Sequence, residues 1–106
     1  MDETVKKELD LIKESILNVV PAECIFLFGS YAYGTPNEHS DIDIYVVVPD
    51  GIGDLVEIRA DIRLNLKKKR SRDLDLLMGR SSVFKRRKEG PTLERKIARD
   101  GVRLYG

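Results

Sequence analysis

Residues 24–48 decide which fold this chain can adopt, and their sequence is CIFLFGSYAYGTPNEHSDIDIYVVV. Two apolar runs, 24–28 and 41–48, flank a polar stretch of turn-forming residues, 29–40. We therefore predict two buried strands joined by a loop that holds one helical turn at its start. Aspartate is disfavoured in strands, so the two aspartates that open the second run are unexpected there on structural grounds.

Helical spacing of apolar residues appears on both sides of this segment. Residues 3–20 carry apolar side chains three and four positions apart, and Pro21 ends the predicted helix. Asp54 and Glu57 resemble a capping box with Asp in place of Ser or Thr, and they predict the start of a second long helix. That helix is expected to end in the basic run 67–70, which suits a helix C-terminus.

The remaining third of the chain predicts one more strand, two short helices and an edge strand. Residues 73–78 predict the third strand and 81–88 a short helix. Pro91 is expected at the first position of a last helix that stops at Gly101. Residues 102–105 can add an edge strand. The fold class that follows is α/β (α+β), with a single mixed β-sheet flanked by helices, in one domain spanning 1–106.

Composition limits the class of protein. The 106 residues include 19 basic and 18 acidic ones, a net charge of +1, which argues against a polyanionic partner for the chain as a whole. Charged residues reach 35%, above the ~25% typical of soluble domains. One cysteine excludes an internal disulfide. The apolar runs are too short to cross a bilayer and the N-terminus is not a signal peptide, so we expect a cytoplasmic protein without a membrane partner.

Carboxylates form the pattern that points to chemistry. Asp41 and Asp43 fall on one face of their predicted strand, ~6.6 Å apart along it. Asp73 and Asp75 repeat the pattern on the next predicted strand. If the strands are neighbours, a third carboxylate joins the first two, and at ~4 Å and an effective dielectric of ~20 each pair repels by about 4 kcal/mol. Such a cluster must raise a pKa or bind cations, as in two-metal phosphoryl-transfer sites; strand ends wetted by solvent are the alternative.

A glycine and a serine directly follow the first strand. At Gly29 and Ser30 the chain can turn and point backbone N–H groups outward, and Ser30 adds a hydroxyl. Such a turn suits phosphate oxygens, although an ordinary turn has the same composition.

The spacing of these features resembles a known family. Gly29-Ser30, ten further residues and Asp41-x-Asp43 match the Gly-Ser-x10-Asp-x-Asp signature of DNA polymerase beta-like nucleotidyltransferases. The chain length and residues 94–105 resemble the minimal nucleotidyltransferase (MNT) subfamily, specifically the antitoxins of HEPN/MNT modules. The resemblance covers about residues 24–105 and implies the polymerase beta-like nucleotidyltransferase fold.

The resemblance also implies roles for individual residues. It implies two Mg²⁺ ions and an NTP substrate, with ATP the expected nucleotide. The implied nucleotide-binding residues are Gly29, Ser30 and Ser40, and the implied metal ligands and catalytic residues are Asp41, Asp43 and Asp75. Asp75 matches the family's Asp-plus-apolar strand better than Asp73 does, and Asp73 could support it. Tyr33 departs from the family, because many relatives carry Arg at its place.

The partner implied by the resemblance is a HEPN ribonuclease toxin, whose tyrosine hydroxyl would receive AMP. Two other functions stay open: a non-catalytic antitoxin that sequesters the toxin, and a small nucleic-acid-binding domain that uses the basic clusters 67–72 and 85–88. The near-neutral net charge makes nucleic acid a poor direct ligand.

Overall fold

The computed structural model describes residues 2–37, 39–66 and 73–106. Helices and strands follow one another along the chain in the predicted order. The elements are α1 (Glu3–Val19), β1 (Cys24–Phe28), α2 (Ser30–Tyr33), β2 (Ile42–Val48), α3 (Leu55–Leu66), β3 (Leu74–Arg80), α4 (Ser81–Arg87), α5 (Leu93–Asp100) and β4 (Val102–Tyr105).

The four strands form one mixed sheet in the order β3-β2-β1-β4. β1 pairs antiparallel with both β2 and β4, whereas β2 and β3 run parallel. A parallel pair needs a crossover connection, and α3 lies in that connection. The structure therefore confirms the predicted single mixed sheet with helices around it.

One face of the sheet is covered by α1 and α3. Ile42 and Ile44 of β2 are fully buried on this face, as the alternation of the strand predicts. Helical spacing on α1 supplies the opposite side of this core. The buried members of the cluster are Val5, Leu9, Ile12, Ile16, Val20, Ala22, Ile25, Leu27, Ile42, Ile44, Val46, Val48, Ile62, Leu66, Leu74 and Leu76.

The other face is covered by α4 and α5 over a smaller, more aromatic cluster. Its buried members are Phe26, Phe28, Tyr45, Val47, Phe84 and Ile97. The two helices do not cover the first residues of β2 and β3. Asp75 is therefore exposed there and Asp43 is partly exposed. This uncovered edge is where the predicted carboxylates lie.

Strand boundaries differ from the prediction by one or two residues. β2 begins at Ile42 and β3 at Leu74, so Asp41 and Asp73 immediately precede their strands. β3 also continues to Arg80, because its parallel ladder with β2 persists to that residue. The basic run 67–70, predicted to end α3, lies outside the described residues.

The start of the last helix corrects a second prediction. Pro91 does not occupy the first helical position, because Thr92 is the N-cap and α5 begins at Leu93. The Thr92 hydroxyl accepts a hydrogen bond from the backbone N–H of Arg95 at 3.2 Å and donates to the carbonyl of Arg87 at 2.6 Å. These two bonds anchor the N-terminus of α5 to the end of α4.

Candidate active site

Asp43 and Asp75 are direct partners in the parallel ladder between β2 and β3. Their strand neighbours Ile42, Leu74 and Leu76 are buried on the α1/α3 side, so both aspartates project to the opposite face. The pairing brings together two carboxylates that are far apart in sequence. It satisfies the expectation that the second Asp-x-Asp pattern lies beside the first.

Asp41 adds a third negative charge to this pair. Burial raises the pKa of Asp43, and the charges of Asp75 and Asp41 raise it further. The three side chains therefore share one electrostatic environment, as the like-charge argument predicts. Asp75 and not Asp73 is the β3-side aspartate whose charge acts on Asp43.

Asp73 contributes through its backbone to the start of the parallel pair. Its carbonyl accepts a hydrogen bond from the Ile42 N–H at 2.9 Å. This bond ties the residue before β3 to the first residue of β2 and fixes the relative height of the two strands. Asp73 thereby holds the strand register that places Asp75 beside Asp43.

The turn after β1 lies directly against the Asp43 side chain. Gly29 has φ +74°, and a Cβ at this position would lie 2.9 Å from Asp43 Cγ and closer still to Oδ2. Both the backbone conformation and the available space therefore require glycine. The single helical turn α2 follows, and Gly34 closes it in the left-handed conformation with φ +81°.

The two candidate serines have different surroundings. The carbonyl of Ser30 accepts a hydrogen bond from the Thr35 N–H at 3.0 Å, while its hydroxyl has no partner within the described ranges. Ser40 Oγ accepts a hydrogen bond from the Asn37 N–H at 2.9 Å and so closes the loop that leads to Asp41. The Ser40 hydroxyl can still donate its proton, and its nucleotide-binding role stays a prediction.

A polar network that the sequence did not reveal lies behind the carboxylates, buried at Tyr45 and Glu94 and partly exposed at Arg87. The Tyr45 hydroxyl donates to Glu94 Oε2 at 3.0 Å, and Arg87 Nε donates to Glu94 Oε1 at 3.0 Å. Tyr45 shares the face of Asp43 along β2, a position that is compatible either with lining the site or with packing in the core. The structure places it in the core, where Gly79 leaves room for its hydroxyl.

The network favours a neutral Tyr45 and an ionised Glu94. Burial raises the pKa of Tyr45, and the neighbouring Glu94 carboxylate raises it further. For Glu94, burial acts to raise the pKa, but hydrogen bonds that include those from Arg87 and Tyr45 outweigh it, so the pKa lies below its ordinary value. Glu94 is thus held as a carboxylate that joins α4, α5 and β2.

The donor set suits a hard divalent cation. Mg²⁺ sites commonly use one or two protein carboxylates together with substrate phosphates, and Asp43 and Asp75 supply two at one edge. Across residues 2–37, 39–66 and 73–106, no group of three or more His, Cys, Asp and Glu side chains is arranged to hold a metal ion. Asp43 and Asp75 thus present carboxylate oxygens, the donor type that Mg²⁺ prefers, side by side at this edge of the sheet.

Comparison with known proteins identifies a family and a relative that resemble this chain. The family profile "Nucleotidyltransferase domain" matches residues 6–104. The chain is 30% identical over 89 residues to "Protein adenylyltransferase MntA" of Shewanella oneidensis, which covers 84% of this chain. The chain spans 58% of the length of that relative.

Three solved structures share the fold. The crystal structure of a mutant of the toxin–antitoxin MntA–HpeT aligns with a TM-score of 0.57 and 25% identity, covering 93% of this chain and 73% of that one. A toxin–antitoxin with AMP-PNP aligns with a TM-score of 0.55 and 24% identity over 92% of this chain and 72% of its own. A putative nucleotidyltransferase from Sulfolobus solfataricus gives 0.55 and 19%, with coverage of 98% and 87%.

None of the helices within the described ranges is both long and apolar enough to cross a membrane.

The family match extends over nearly the whole chain and includes every element of the sheet. It also contains the paired aspartates and the glycine turn that packs on them. The chain belongs to the nucleotidyltransferase domain family.

Proposed function

We propose that this chain transfers AMP, or another nucleotidyl group, from an NTP to a hydroxyl on a partner protein, with Mg²⁺ as cofactor and ATP as the nucleotide. The observation that carries the proposal is the register pairing of Asp43 with Asp75 beside the Gly29 turn. It places a cluster of carboxylates next to a backbone turn whose first position accepts only glycine. A family match over most of the chain supports the same chemistry.

Asp41, Asp43 and Asp75 are the residues that would hold Mg²⁺. Bound there, the metal would neutralise part of the charge of the triphosphate and of the carboxylates. Asp75 is exposed, so an acceptor hydroxyl can reach it, and its carboxylate can orient that hydroxyl and receive its proton. The acceptor oxygen forms a bond to the α-phosphorus, the bond from the α-phosphorus to the bridging oxygen breaks, and pyrophosphate leaves.

Gly29, Ser30 and Ser40 are the residues that we assign to nucleotide binding. The turn at Gly29 brings the backbone close to Asp43, so that phosphate oxygens bound at the turn would lie near the carboxylates. The Ser30 hydroxyl, which has no partner among the described residues, can donate to such an oxygen. Ser40 holds the loop before Asp41 and would orient it toward the nucleotide.

We propose a HEPN ribonuclease toxin as the partner, with a tyrosine as the acceptor. A relative at 30% identity is named a protein adenylyltransferase, and a neighbour at 25% identity is a toxin–antitoxin complex. The HEPN identity rests on the resemblance of the sequence to the MNT subfamily. In this account nucleotidyl transfer blocks the ribonuclease.

The test is transfer of label from α-³²P-ATP to the protein encoded by the adjacent reading frame, in Mg²⁺ and in EDTA. Asp43→Asn and Asp75→Asn remove candidate ligands. Asp61→Asn is the matched control, because Asp61 is an exposed aspartate on α3, across the sheet from the site. We expect Mg²⁺-dependent labelling that the first two variants abolish and the control retains.

Two results would contradict the proposal. Labelling that survives both site variants would separate the activity from these carboxylates. Inhibition of the neighbouring protein without any labelling, unchanged in both variants, would instead indicate a non-catalytic antitoxin.

A further inference from the structure

Lys96 of α5 lies over the ring of Tyr33 at the end of α2. The distance from its Nζ to the ring centroid is 5.0 Å, within the range of a cation–π contact. Both side chains are exposed, and Tyr33 keeps 38% of its surface accessible. The contact therefore holds a solvent-accessible ammonium group against the turn that begins at Ser30.

The positive charge of Lys96 is not neutralised by a carboxylate among the described residues. Two other cations of α4 and α5 are paired with carboxylates. Arg87 binds Glu94 at 3.0 Å, and Arg99 binds Asp100 at 3.2 Å. Since the ring of Tyr33 is the contact of this ammonium group in the part of the chain that the structure describes, the group keeps hydrogen-bonding capacity for an anion.

The location of Lys96 follows from the packing of its neighbours. Ile97 is fully buried in the same cluster as Phe28, and Phe28 is the ladder partner of Asp43. The helix that carries Lys96 therefore packs on the face that carries the carboxylates. Ser30 and Tyr33 are three residues apart on one helical turn, so their side chains lie on the same side of it.

Electrostatics gives this ammonium group a role. Asp41, Asp43 and Asp75 place three acidic side chains at the edge of the sheet beside this turn. A triphosphate that approaches the Gly29 turn is itself strongly anionic. A cation held at this turn would offset that repulsion.

We propose that Lys96 binds the phosphates of the nucleotide and that Tyr33 is the positioning residue that holds its ammonium group at the turn. The inference rests on the proposed function and extends it to a residue outside the Gly-Ser and Asp-x-Asp pattern. It assigns the phosphate contact to α5. No sequence motif connects this helix to the site.

The alternative is a surface contact that only joins α2 to α5. The two differ in what a substitution changes. A purely structural contact affects the unfolding midpoint and leaves ATP affinity alone. A phosphate contact affects ATP affinity and KM, while kcat at saturating ATP changes little.

The experiment measures ATP affinity by calorimetry in Mg²⁺ for Lys96→Met, Lys96→Arg, Tyr33→Phe and Tyr33→Leu. Lys7→Met is the matched control, because Lys7 is exposed on α1, across the sheet. We expect Lys96→Met to weaken ATP binding roughly tenfold, as for loss of a charge-assisted contact. Lys96→Arg and Tyr33→Phe should stay near wild type, and Tyr33→Leu should show a smaller loss than Lys96→Met.

A second measurement detects proximity without a substitution. Acetylation of individual lysines by a water-soluble reagent is followed by peptide mass spectrometry, with and without ATP or adenosine. We expect ATP to slow acetylation of Lys96 but not of Lys7, and adenosine to protect neither. Both measurements require only the protein as it exists and its nucleotide.

The outcomes distinguish failure of the role of Lys96 from failure of the proposed function. Wild-type protein that binds ATP while Lys96→Met binds it equally well, with no protection of Lys96, overturns the role of Lys96 alone. Wild-type protein that binds no ATP overturns the proposed function and this inference together.

Discussion

At the scale of single residues, Asp43 is where the fold and the proposed reaction make opposite demands. It must ionise to bind a cation, yet burial and the nearby Asp75 and Asp41 carboxylates raise its pKa. Aspartate is disfavoured in strands, so Asp43 does not contribute to the stability of β2. The cost of an ionised Asp43 is thus a property of the unliganded protein that a bound divalent cation would remove.

The first prediction concerns Asp43→Asn. Because the folded protein holds the pKa above its ordinary value of 3.8, ionisation lowers stability as pH rises through the interval above 3.8. A neutral amide removes that penalty, so the variant should be inactive but more stable at pH 7 in EDTA, by on the order of 0.5 kcal/mol. Urea unfolding measures this difference, and a variant less stable than wild type would contradict the electrostatic argument.

The second prediction concerns Gly29→Ala, with Gly34→Ala as its control. Both glycines have positive φ, but a Cβ at Gly29 meets the Asp43 carboxylate, whereas a Cβ at Gly34 meets nothing within 4 Å. We expect Gly34→Ala to cost about 1 kcal/mol from backbone strain and to retain transfer. Gly29→Ala should cost more and abolish transfer because it displaces Asp43. Equal stability and activity in the two variants would show that the contact with Asp43 is unimportant.

At the scale of elements, α4 and α5 are joined to β2 by Glu94. Its carboxylate accepts hydrogen bonds from Tyr45 and Arg87 at 3.0 Å each, and Tyr45 is only two residues from Asp43 on the same strand face. The network therefore fixes both helices on the strand that carries the site. It also orients α5, on which Lys96 lies.

The third prediction is the acid sensitivity of this junction. The pKa of Glu94 lies below its ordinary value of 4.5, so its ionised form stabilises the fold at pH above 4.5. This stabilisation is lost as pH falls below 4.5 through the folded-state pKa. Glu94→Gln should lose roughly 1–3 kcal/mol at pH 7, since Arg87 loses its carboxylate, and less at low pH. Unfolding free energies measured from pH 3 to 7 test this, and a loss independent of pH would contradict it.

At the scale of the whole molecule, the elements were predictable because their signals are local. Apolar periodicity identifies α1, a short apolar run followed by Gly29 identifies β1, and a β-branched run bounded by turn residues identifies β2. The Gly29-Ser30 and Asp41-x-Asp43 spacing could be read from the chain because a short loop fixes both ends. The start of α5 was missed because the Thr92 bonds that fix it involve α4.

Pairings between distant residues were beyond the sequence. The partner of Asp43 depends on the order and register of strands, and the Ile42–Asp73 backbone bond that sets the register carries no side-chain signature. The hydrogen bond between Tyr45 and Glu94 joins residues 49 positions apart. Only the fold identifies Glu94 as the partner of the Tyr45 hydroxyl.

The central claim is that carboxylates from β2 and β3 jointly hold a divalent cation with the nucleotide. Its most direct test is Mn²⁺ binding, measured by electron paramagnetic resonance in the presence of a non-hydrolysable ATP analogue. The account predicts binding by the wild-type protein that is lost in both Asp43→Asn and Asp75→Asn and is retained in Asp61→Asn. Wild-type protein that binds no Mn²⁺, or binding that persists in both site variants, would contradict it.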